Sequence, residues 1–174
     1  MTNGRVACIV LNRNLGKITD KLVIKLKDSH TNLDVFVVDS GSDEKNKSKF
    51  TTWHVDTTKI KQFGLRFGQG MNFGLYQLYL TRDLHKYEFI FLITNDVVIK
   101  TKNFTEKILD IMHKNPAIGL LSPCGSNWAE RLILKKNNLK FFWFIHNNFY
   151  IFRRECLLKL ININEGYKKF LYDG

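Results

Sequence analysis

Three short apolar runs, each ending in a cluster of polar residues, constrain the fold of this chain more than any other feature. The runs lie within residues 6–11, 35–38 and 88–93. Strands that are covered by helices on both faces need continuous apolar runs, whereas strands with one solvated face alternate apolar and polar residues. The runs therefore predict buried strands in a mostly parallel sheet.

The segment between the first two runs shows helical periodicity. Apolar residues recur there at spacings of three and four, which predicts a helix over residues 17–28 with one face turned inward. A strand, a helix and a strand in about 35 residues form the βαβ unit of parallel sheets. The residues predicted to face inward are Leu15, Ile18, Leu22 and Leu26.

The rest of the chain continues this alternation, and its 174 residues fit one α/β domain arranged as a three-layer sandwich. No repeat or low-complexity linker divides it. The further predicted elements are a short strand at 53–55, a glycine-rich loop at 64–74 entering a helix that runs to residue 85, a helix at 104–112, and strands at 118–121, 141–145 and 149–152.

Polar residues follow three of the predicted strands at the point where each strand ends. Asn12 and Asn14 follow the first strand, Asp39 follows the second, and residues 94–96 follow the strand at 88–93. Ligands of open parallel sheets bind beyond the carboxyl ends of the strands, so these side chains are candidates for a binding site. Each aspartate taken alone is equally well explained as a helix cap or a turn former.

Charge and cysteine content narrow the class of protein. The net charge of +11 attracts anions, whether sugar nucleotides, nucleic acid or an anionic membrane. The three cysteines have no CxxC spacing, so neither a disulfide framework nor a zinc site is predicted, and a reducing cytoplasmic setting fits best. The apolar run near the N-terminus is too short for a signal peptide or a membrane span. Scattered histidines such as His54 are expected to be structural.

The segments that carry these features resemble, in the same order, those of the inverting family 2 glycosyltransferases, which have the GT-A fold. The resemblance implies a nucleotide-binding half at 1–100 and a partial acceptor half at 101–174. The segments that carry it are VACIVLNRN, VFVVDSGSD, RFGQGMNFG, the DXD-like LITNDVVI, GLLSP and NNFYIFRREC.

Residue roles follow from the resemblance. Asp39 is expected to contact the nucleotide base, and Asp96 is expected to hold Mg or Mn, which neutralises charge on the leaving diphosphate. Thr94 replaces the first acidic residue that the family often has in its DXD motif. The other residues expected to bind the nucleotide sugar are Asn12, Asn14, Arg66, Asn72, Thr94 and Asn95.

The resemblance also implies a catalytic base, an Asp or Glu that deprotonates the acceptor hydroxyl, after the helix at 153–160. Asp173, near the end of the sequence, is the candidate. A general base must lie within hydrogen-bond reach of the acceptor oxygen. We therefore expect either that Asp173 begins this acidic segment, or that the reading frame continues past Gly174 and supplies the base there.

The implied function is transfer of a sugar from a UDP, GDP or dTDP donor to a glycan or lipid-linked hydroxyl acceptor, in surface polysaccharide or glycoconjugate synthesis, with peripheral contact to the inner face of a membrane. The alternative is a basic module that binds nucleic acid without catalysis. Acidic residues at the strand ends argue against a phosphate-backbone surface there. The glycines at 68, 70 and 74 do not follow a predicted strand, which argues against a dinucleotide fingerprint.

Overall fold

The computed structural model describes residues 5–55, 58–123, 139–141 and 148–172, and it contains a single six-stranded sheet with helices on both faces. The strands are β1 (Val6–Asn12), β2 (Leu33–Asp39), β3 (Thr51–His54), β4 (Phe89–Thr94), β5 (Leu120–Leu121) and β6 (Phe149–Arg153). The helices are α1 (Gly16–Ser29), α2 (Thr58–Phe63), α3 (Phe67–Leu80), α4 (Phe104–Lys114) and α5 (Arg154–Leu160).

The strands follow the order β3-β2-β1-β4-β6-β5 across the sheet. β1 is parallel to β2 on one side and to β4 on the other, and β3 continues the parallel part beside β2. β6 runs antiparallel to β4 and also pairs with the short β5. The mostly parallel α/β sheet that the apolar runs predict is confirmed.

Alternate residues of β1 point into two separate cores, one on each face of the sheet. Val6, Cys8 and Val10 pack with α1 and α4, whereas Ala7 and Ile9 pack with α3 and α5. Helices on both faces of one sheet form the predicted three-layer arrangement. Burial raises the pKa of the Cys8 thiol well above its ordinary value, so this cysteine stays protonated and fills space in the core.

The predicted elements correspond closely to the observed ones. The strand expected at 53–55 is β3, and the one expected at 118–121 shortens to β5. From residue 142 onward, the strand expected at 141–145 lies outside the described residues. In the described part of the chain, no helix is long and apolar enough to cross a bilayer.

The inward face predicted for α1 is wrong at its amino-terminal end. Leu22 is buried as expected, but Leu15 is 44% exposed and Ile18 is 47% exposed. The side chain of Thr19 is turned inward instead, because its hydroxyl donates a hydrogen bond to Oδ1 of Asn12 at 2.7 Å. Neighbouring helical residues differ by about 100° around the axis, so a buried Thr19 leaves Ile18 at the solvent side.

The glycine-rich stretch predicted as a loop is largely helical, because α3 already begins at Phe67. A Cβ atom at Gly70 would lie 2.4 Å from Cδ1 of Leu11, and one at Gly74 would lie 2.8 Å from Cγ2 of Ile9. The missing side chains let the helix approach β1 more closely than any other residue type would allow. These glycines therefore serve helix–sheet packing.

The C-terminal segment is fastened to α3 by the fully buried side chain of Asn72. Its amide nitrogen donates to the carbonyl oxygens of Lys168, at 3.3 Å, and of Tyr172, at 2.9 Å. Its side-chain oxygen accepts the backbone N–H groups of Leu171 and Tyr172, both at 2.9 Å. The Asn72 side chain thus binds both backbone N–H and backbone C=O groups of the C-terminal segment.

Phe170 adds an apolar anchor to the same segment. Its ring is fully buried and lies edge-on to the ring of Tyr76, with centroids 5.4 Å apart, and tilted against that of Tyr79, at 5.6 Å. Aromatic pairs in such geometry add to the stabilisation that comes from burial alone.

We predict that Asn72→Ala lowers the free energy of unfolding by about 3 kcal/mol, because four hydrogen bonds between its buried side chain and the backbone of residues 168–172 are lost. Denaturant unfolding measures this loss, and amide exchange is expected to quicken at residues 168–172. Gln77→Ala, a half-buried change on the same helix, is the matched control. Equal stability of the two variants would contradict the anchoring role of Asn72.

Candidate functional site

The carboxyl ends of β1, β2 and β4 lie side by side, because these strands are parallel neighbours. In the register of the sheet, Asn12 pairs with Asp39 and Leu11 pairs with Thr94. The backbone N–H of Ser40 donates to the carbonyl oxygen of Asn12 at 2.9 Å and extends the pairing by one residue. The polar residues after the three strands therefore meet at one edge of the sheet, where α/β proteins bind ligands.

The fully buried side chain of Asn12 connects these strand ends. Its amide nitrogen donates to Oδ2 of Asp39 at 2.8 Å and lies 3.3 Å from Oγ of Ser42. Its Oδ1 accepts the Thr19 hydroxyl at 2.7 Å and lies 3.4 Å from the amide nitrogen of Asn95. One amide group thus joins the loops after β1, β2 and β4 to α1.

Asp39 is a fully buried carboxylate that is surrounded by donors. Besides the bond from Asn12, its Oδ1 accepts the backbone N–H of Ser42 at 2.9 Å and lies 3.0 Å from Nδ1 of His54 at the end of β3. Burying a carboxylate is costly unless hydrogen bonds replace its hydration. Because Asp39 has no exposed surface, a direct bond to a ligand requires one of these donors to move.

The loops after β1 and β2 are joined by a second set of bonds around Asn14. Its backbone N–H donates to Oγ of Ser42 at 2.8 Å, and its side-chain oxygen accepts the N–H of Asp43 at 2.9 Å. Asn14 has a φ of 55°, a left-handed conformation that asparagine tolerates better than most residues. Its side chain is exposed at the surface of this edge.

The three residues at the end of β4 point in different directions. Asn95 turns inward and donates to Oγ1 of Thr19 at 3.0 Å. The hydroxyl of Thr94 lies within hydrogen-bond reach of Oδ1 of Asp96 and of the carbonyl oxygen of Asn148. Asp96 is exposed, so it is the member of this group that offers a carboxylate to solvent.

Two arginines belong to the loops that border Asp39. Arg13 is half-buried, and its Nη2 donates to the carbonyl oxygen of Gln62 at 3.1 Å. Its guanidinium lies over Gly64, where a Cβ atom would come within 1.7 Å of Nη1. The second arginine, Arg66, lies two residues after Gly64. It is exposed and directly precedes α3.

The loop that carries Arg66 is tied to the end of β2. The backbone N–H of Leu65 donates to the buried Oγ of Ser40. Gly41, with a φ of +70°, lets the chain pass so close to α2 that a Cβ atom there would lie 2.7 Å from the carbonyl oxygen of Ile60. The residues after β2 thus fix the approach to α3.

Arg13, Ser42 and His54 belong to this edge but were not among the residues predicted to form the site. Arg13 stands between two residues that were predicted to bind the ligand, but its placement depends on a glycine some 50 positions away along the chain. His54 was expected to be structural, and its bond to Asp39 agrees with that. No periodic pattern in the sequence marks such long-range pairs.

Of the predicted site residues, Asn72 contacts a different part of the chain. The side-chain amide of Asn72 binds the C-terminal segment as described above, and its predicted contact with a nucleotide sugar stays a prediction. Asp173, the candidate catalytic base, lies outside the described residues.

The chemistry of Asp96 suits a hard divalent cation. Across residues 5–55, 58–123, 139–141 and 148–172, no three or more His, Cys, Asp or Glu side chains gather as a ready-made metal site. Mg and Mn in nucleotide sites are held by one or two carboxylates, with substrate phosphates completing the shell. An exposed carboxylate beside the Thr94 hydroxyl fits that kind of site.

An open cavity of about 540 Å³ lies at the opposite, amino-terminal edge of the sheet. In its wall, Asp34 accepts hydrogen bonds from Nε of Arg5 and from the hydroxyl of Tyr87, both at 2.9 Å. These polar groups satisfy one another. The cavity is far from the strand ends discussed above, and we assign its polar groups a structural role.

Comparison with known proteins gives a likeness in structure only. No protein-family model matches the chain, and no curated protein sequence is similar to it.

Solved glycosyltransferase structures share the fold. The mannosyltransferase PcManGT from Pyrobaculum calidifontis, in complex with GDP-Man and Mn2+, aligns over 90% of this chain with 14% identity and a TM-score of 0.52. Glucosyl-3-phosphoglycerate synthase from Mycobacterium tuberculosis, with Mn2+, UDP-Glc and phosphoglyceric acid, aligns over 96% with 13% identity and a TM-score of 0.55. S. aureus TarS aligns over 89% with 17% identity and a TM-score of 0.50.

The alignments cover 46%, 62% and 29% of those three chains, so this chain spans less than two thirds of each. The GT-A fold expected from the sequence is confirmed. At these identities the likeness is one of fold, and it does not by itself carry an activity.

We predict that Asn12→Ala lowers the free energy of unfolding by about 3 kcal/mol, because it removes the buried amide that donates to the Asp39 carboxylate and accepts the Thr19 hydroxyl. Asn95→Ala is the matched control, since it removes an amide at the margin of the same network and is expected to cost about 1 kcal/mol. Denaturant unfolding of both variants checks the difference. Equal losses would show that Asn12 does not organise this edge.

Proposed function

We propose that this chain is the donor-binding part of a glycosyltransferase, a single GT-A domain over residues 1–174 that transfers a sugar from a nucleoside diphosphate to a hydroxyl acceptor. The observation that carries the proposal is the exposed carboxylate of Asp96 at the sheet edge that the Asn12–Asp39 network organises. A buried polar network that fixes backbone positions beside exposed polar groups is what a preformed binding site requires.

The structural neighbours support this proposal. PcManGT was solved with GDP-Man and Mn2+, and the mycobacterial synthase with UDP-Glc and Mn2+. We extend to this chain the class of ligand, a nucleoside diphosphate sugar of the UDP, GDP or dTDP type, together with a divalent cation, Mn or Mg. The family 2 assignment and the inverting outcome rest on the resemblance of the sequence segments.

We assign the exposed groups to direct contact with the donor and the buried ones to its support. The exposed Asn14 and the half-buried Thr94 and Asn95 line the site, while the fully buried Asp39 and Asn12 hold the base pocket in place. Arg13 and Arg66 supply positive charge for the diphosphate, because guanidinium groups bind phosphate oxygens through paired N–H donors.

Asp96 is the residue we assign to the metal, with the Thr94 hydroxyl beside it. Asp96 would hold the divalent cation, which would neutralise the charge that develops on the departing diphosphate. We assign deprotonation of the acceptor hydroxyl to Asp173. A glycan or lipid-linked acceptor, at the cytoplasmic face of a membrane in polysaccharide synthesis, completes the proposal.

We predict that Asp96→Ala weakens Mn-dependent binding of UDP or GDP at least about tenfold, which corresponds to about 1.4 kcal/mol. Calorimetry with and without Mn measures it, and the variant is expected to bind as the wild type does in EDTA. Glu106→Ala, an exposed carboxylate on α4, is the control and should bind normally. Mn-dependent binding by Asp96→Ala at the wild-type level would remove the metal role, provided thermal unfolding shows both variants folded.

We also predict that Gly64→Ala weakens nucleoside diphosphate binding, because a Cβ atom there displaces the Arg13 guanidinium. Gly166→Ala is the matched control, since Gly166 has a similar positive φ of +59° but no atom within 4 Å of the added Cβ. Both changes strain the backbone by about 1–2 kcal/mol. Weaker binding in Gly64→Ala alone supports Arg13, and equal binding in the two variants contradicts its role.

A further inference from the structure

The outer side of α1 and the segment that follows β4 form one continuous surface of aliphatic residues and lysines. Two hydrogen bonds fix their relative position: Asn95 donates to Thr19 at 3.0 Å, and the hydroxyls of Ser29 and Thr105 lie 2.8 Å apart. Thr19 and Ser29 are ten positions apart in α1, and their partners Asn95 and Thr105 are also ten positions apart. The helix α1 therefore runs alongside residues 95–105. We call the exposed part of this surface the α1 face, defined by Ile18, Lys21, Ile24, Lys25, Val98 and Lys102.

A groove of about 440 Å³ runs between the two segments of the α1 face. Lys21, Ile24 and Lys25 line it from the helix, and Lys102 lines it from the opposite side. The groove shows that the two segments share one concave surface.

The aliphatic members of the α1 face are exposed well beyond what a core residue would be. Val98 is 76% exposed, Ile18 is 47% exposed and Ile24 is 44% exposed. Single exposed aliphatic residues are ordinary on protein surfaces, but several on one face mark a surface that meets an apolar partner.

The lysines of the α1 face outnumber the acidic residues beside them. Among the described residues, Lys21, Lys25 and Lys102 form no ion pair. Two acidic residues lie on the same helix: Asp20 is occupied by the hydroxyl of Ser48, at 2.6 Å, and Asp28 lines the groove. Further exposed lysines, Lys17 and Lys100, border the face.

We propose that the α1 face binds the surface of a bilayer that contains anionic lipids. Lysines in an interfacial helix meet anionic headgroups, and aliphatic side chains between them enter the boundary with the acyl chains. A nucleic acid would satisfy the lysines but not the aliphatic residues, and the face has no exposed aromatic ring for stacking on bases. The combination of both residue types therefore favours a membrane.

Membrane binding by the α1 face does not depend on the proposed sugar transfer, because its lysines and exposed aliphatic side chains take no part in the strand-end network. It has one geometric consequence for that function. Val98 lies two residues after Asp96, so docking through the α1 face brings the edge that carries Asp96 close to the membrane surface.

The test is co-sedimentation of the full chain with vesicles of phosphatidylcholine alone and of phosphatidylcholine with 30% phosphatidylglycerol, at about 0.1 M salt. The wild type is expected to bind only the anionic vesicles. The variant Lys21→Glu/Lys25→Glu is expected to partition at least about thirty-fold more weakly, since each lysine contributes between about five- and sixfold, the two together about thirty-fold, and charge reversal adds repulsion. Lys45→Glu/Lys159→Glu, with the same change in net charge on exposed sites elsewhere, is the control and should bind normally.

The aliphatic contribution is tested by Val98→Ser, with Leu160→Ser as the control at another exposed position. Val98→Ser is expected to weaken binding several-fold without lowering thermal stability, while Leu160→Ser leaves binding unchanged. Equal binding by the lysine variant and its control would overturn the proposal, as would a wild type that ignores anionic vesicles. Displacement of the protein from vesicles by single-stranded DNA, with no effect of Val98→Ser, would identify a nucleic-acid surface instead and also overturn it.

Discussion

The carboxyl edge of the sheet depends on one buried interaction, the set of hydrogen bonds that surrounds the carboxylate of Asp39. Its donors come from three different parts of the chain: the amide of Asn12 at the end of β1, the N–H of Ser42, and the ring of His54 at the end of β3. A carboxylate in this position is tolerated only while these donors are present. A one-residue slip between β1 and β2 would separate Asn12 from Asp39 and reverse the faces of the strand, so the network also specifies the register.

The buried hydrogen bonds of this edge also determine where its exposed side chains lie. The bonds of Asn12 and Thr19 to Asn95 hold the backbone after β4, and the exposed carboxylate of Asp96 is carried by the next residue. The hydrogen bond from the backbone N–H of Leu65 to the Ser40 hydroxyl likewise holds the backbone of the loop before α3. Side chains that reach a ligand from such supported backbone lose little freedom on binding, which is how a scaffold supplies affinity beyond the contacts themselves.

The sequence predicted what depends on local periodicity and on general geometry. Continuous apolar runs identify β1, β2 and β4, and parallel pairing then requires their polar ends to meet. The sequence did not predict features that depend on partners far away along the chain. Nothing near Asn72 indicates that its amide receives residues 168–172, and nothing near Arg13 indicates the space above Gly64. Gly70 and Gly74 of α3 look like part of a loop in sequence, because the β1 side chains that they accommodate, Leu11 and Ile9, are some 60 positions earlier in the chain.

The outward position of Ile18 shows how one polar contact redirects a surface. The spacing of apolar residues predicts that Ile18 is a core residue. The hydrogen bond between Thr19 and Asn12 instead turns the helix so that Ile18 faces solvent beside Lys21 and Lys25. The same bond that completes the network around Asp39 therefore exposes an aliphatic residue among lysines. The strand-end site and the α1 face are coupled through the orientation of α1, and a change that frees Thr19 would alter both.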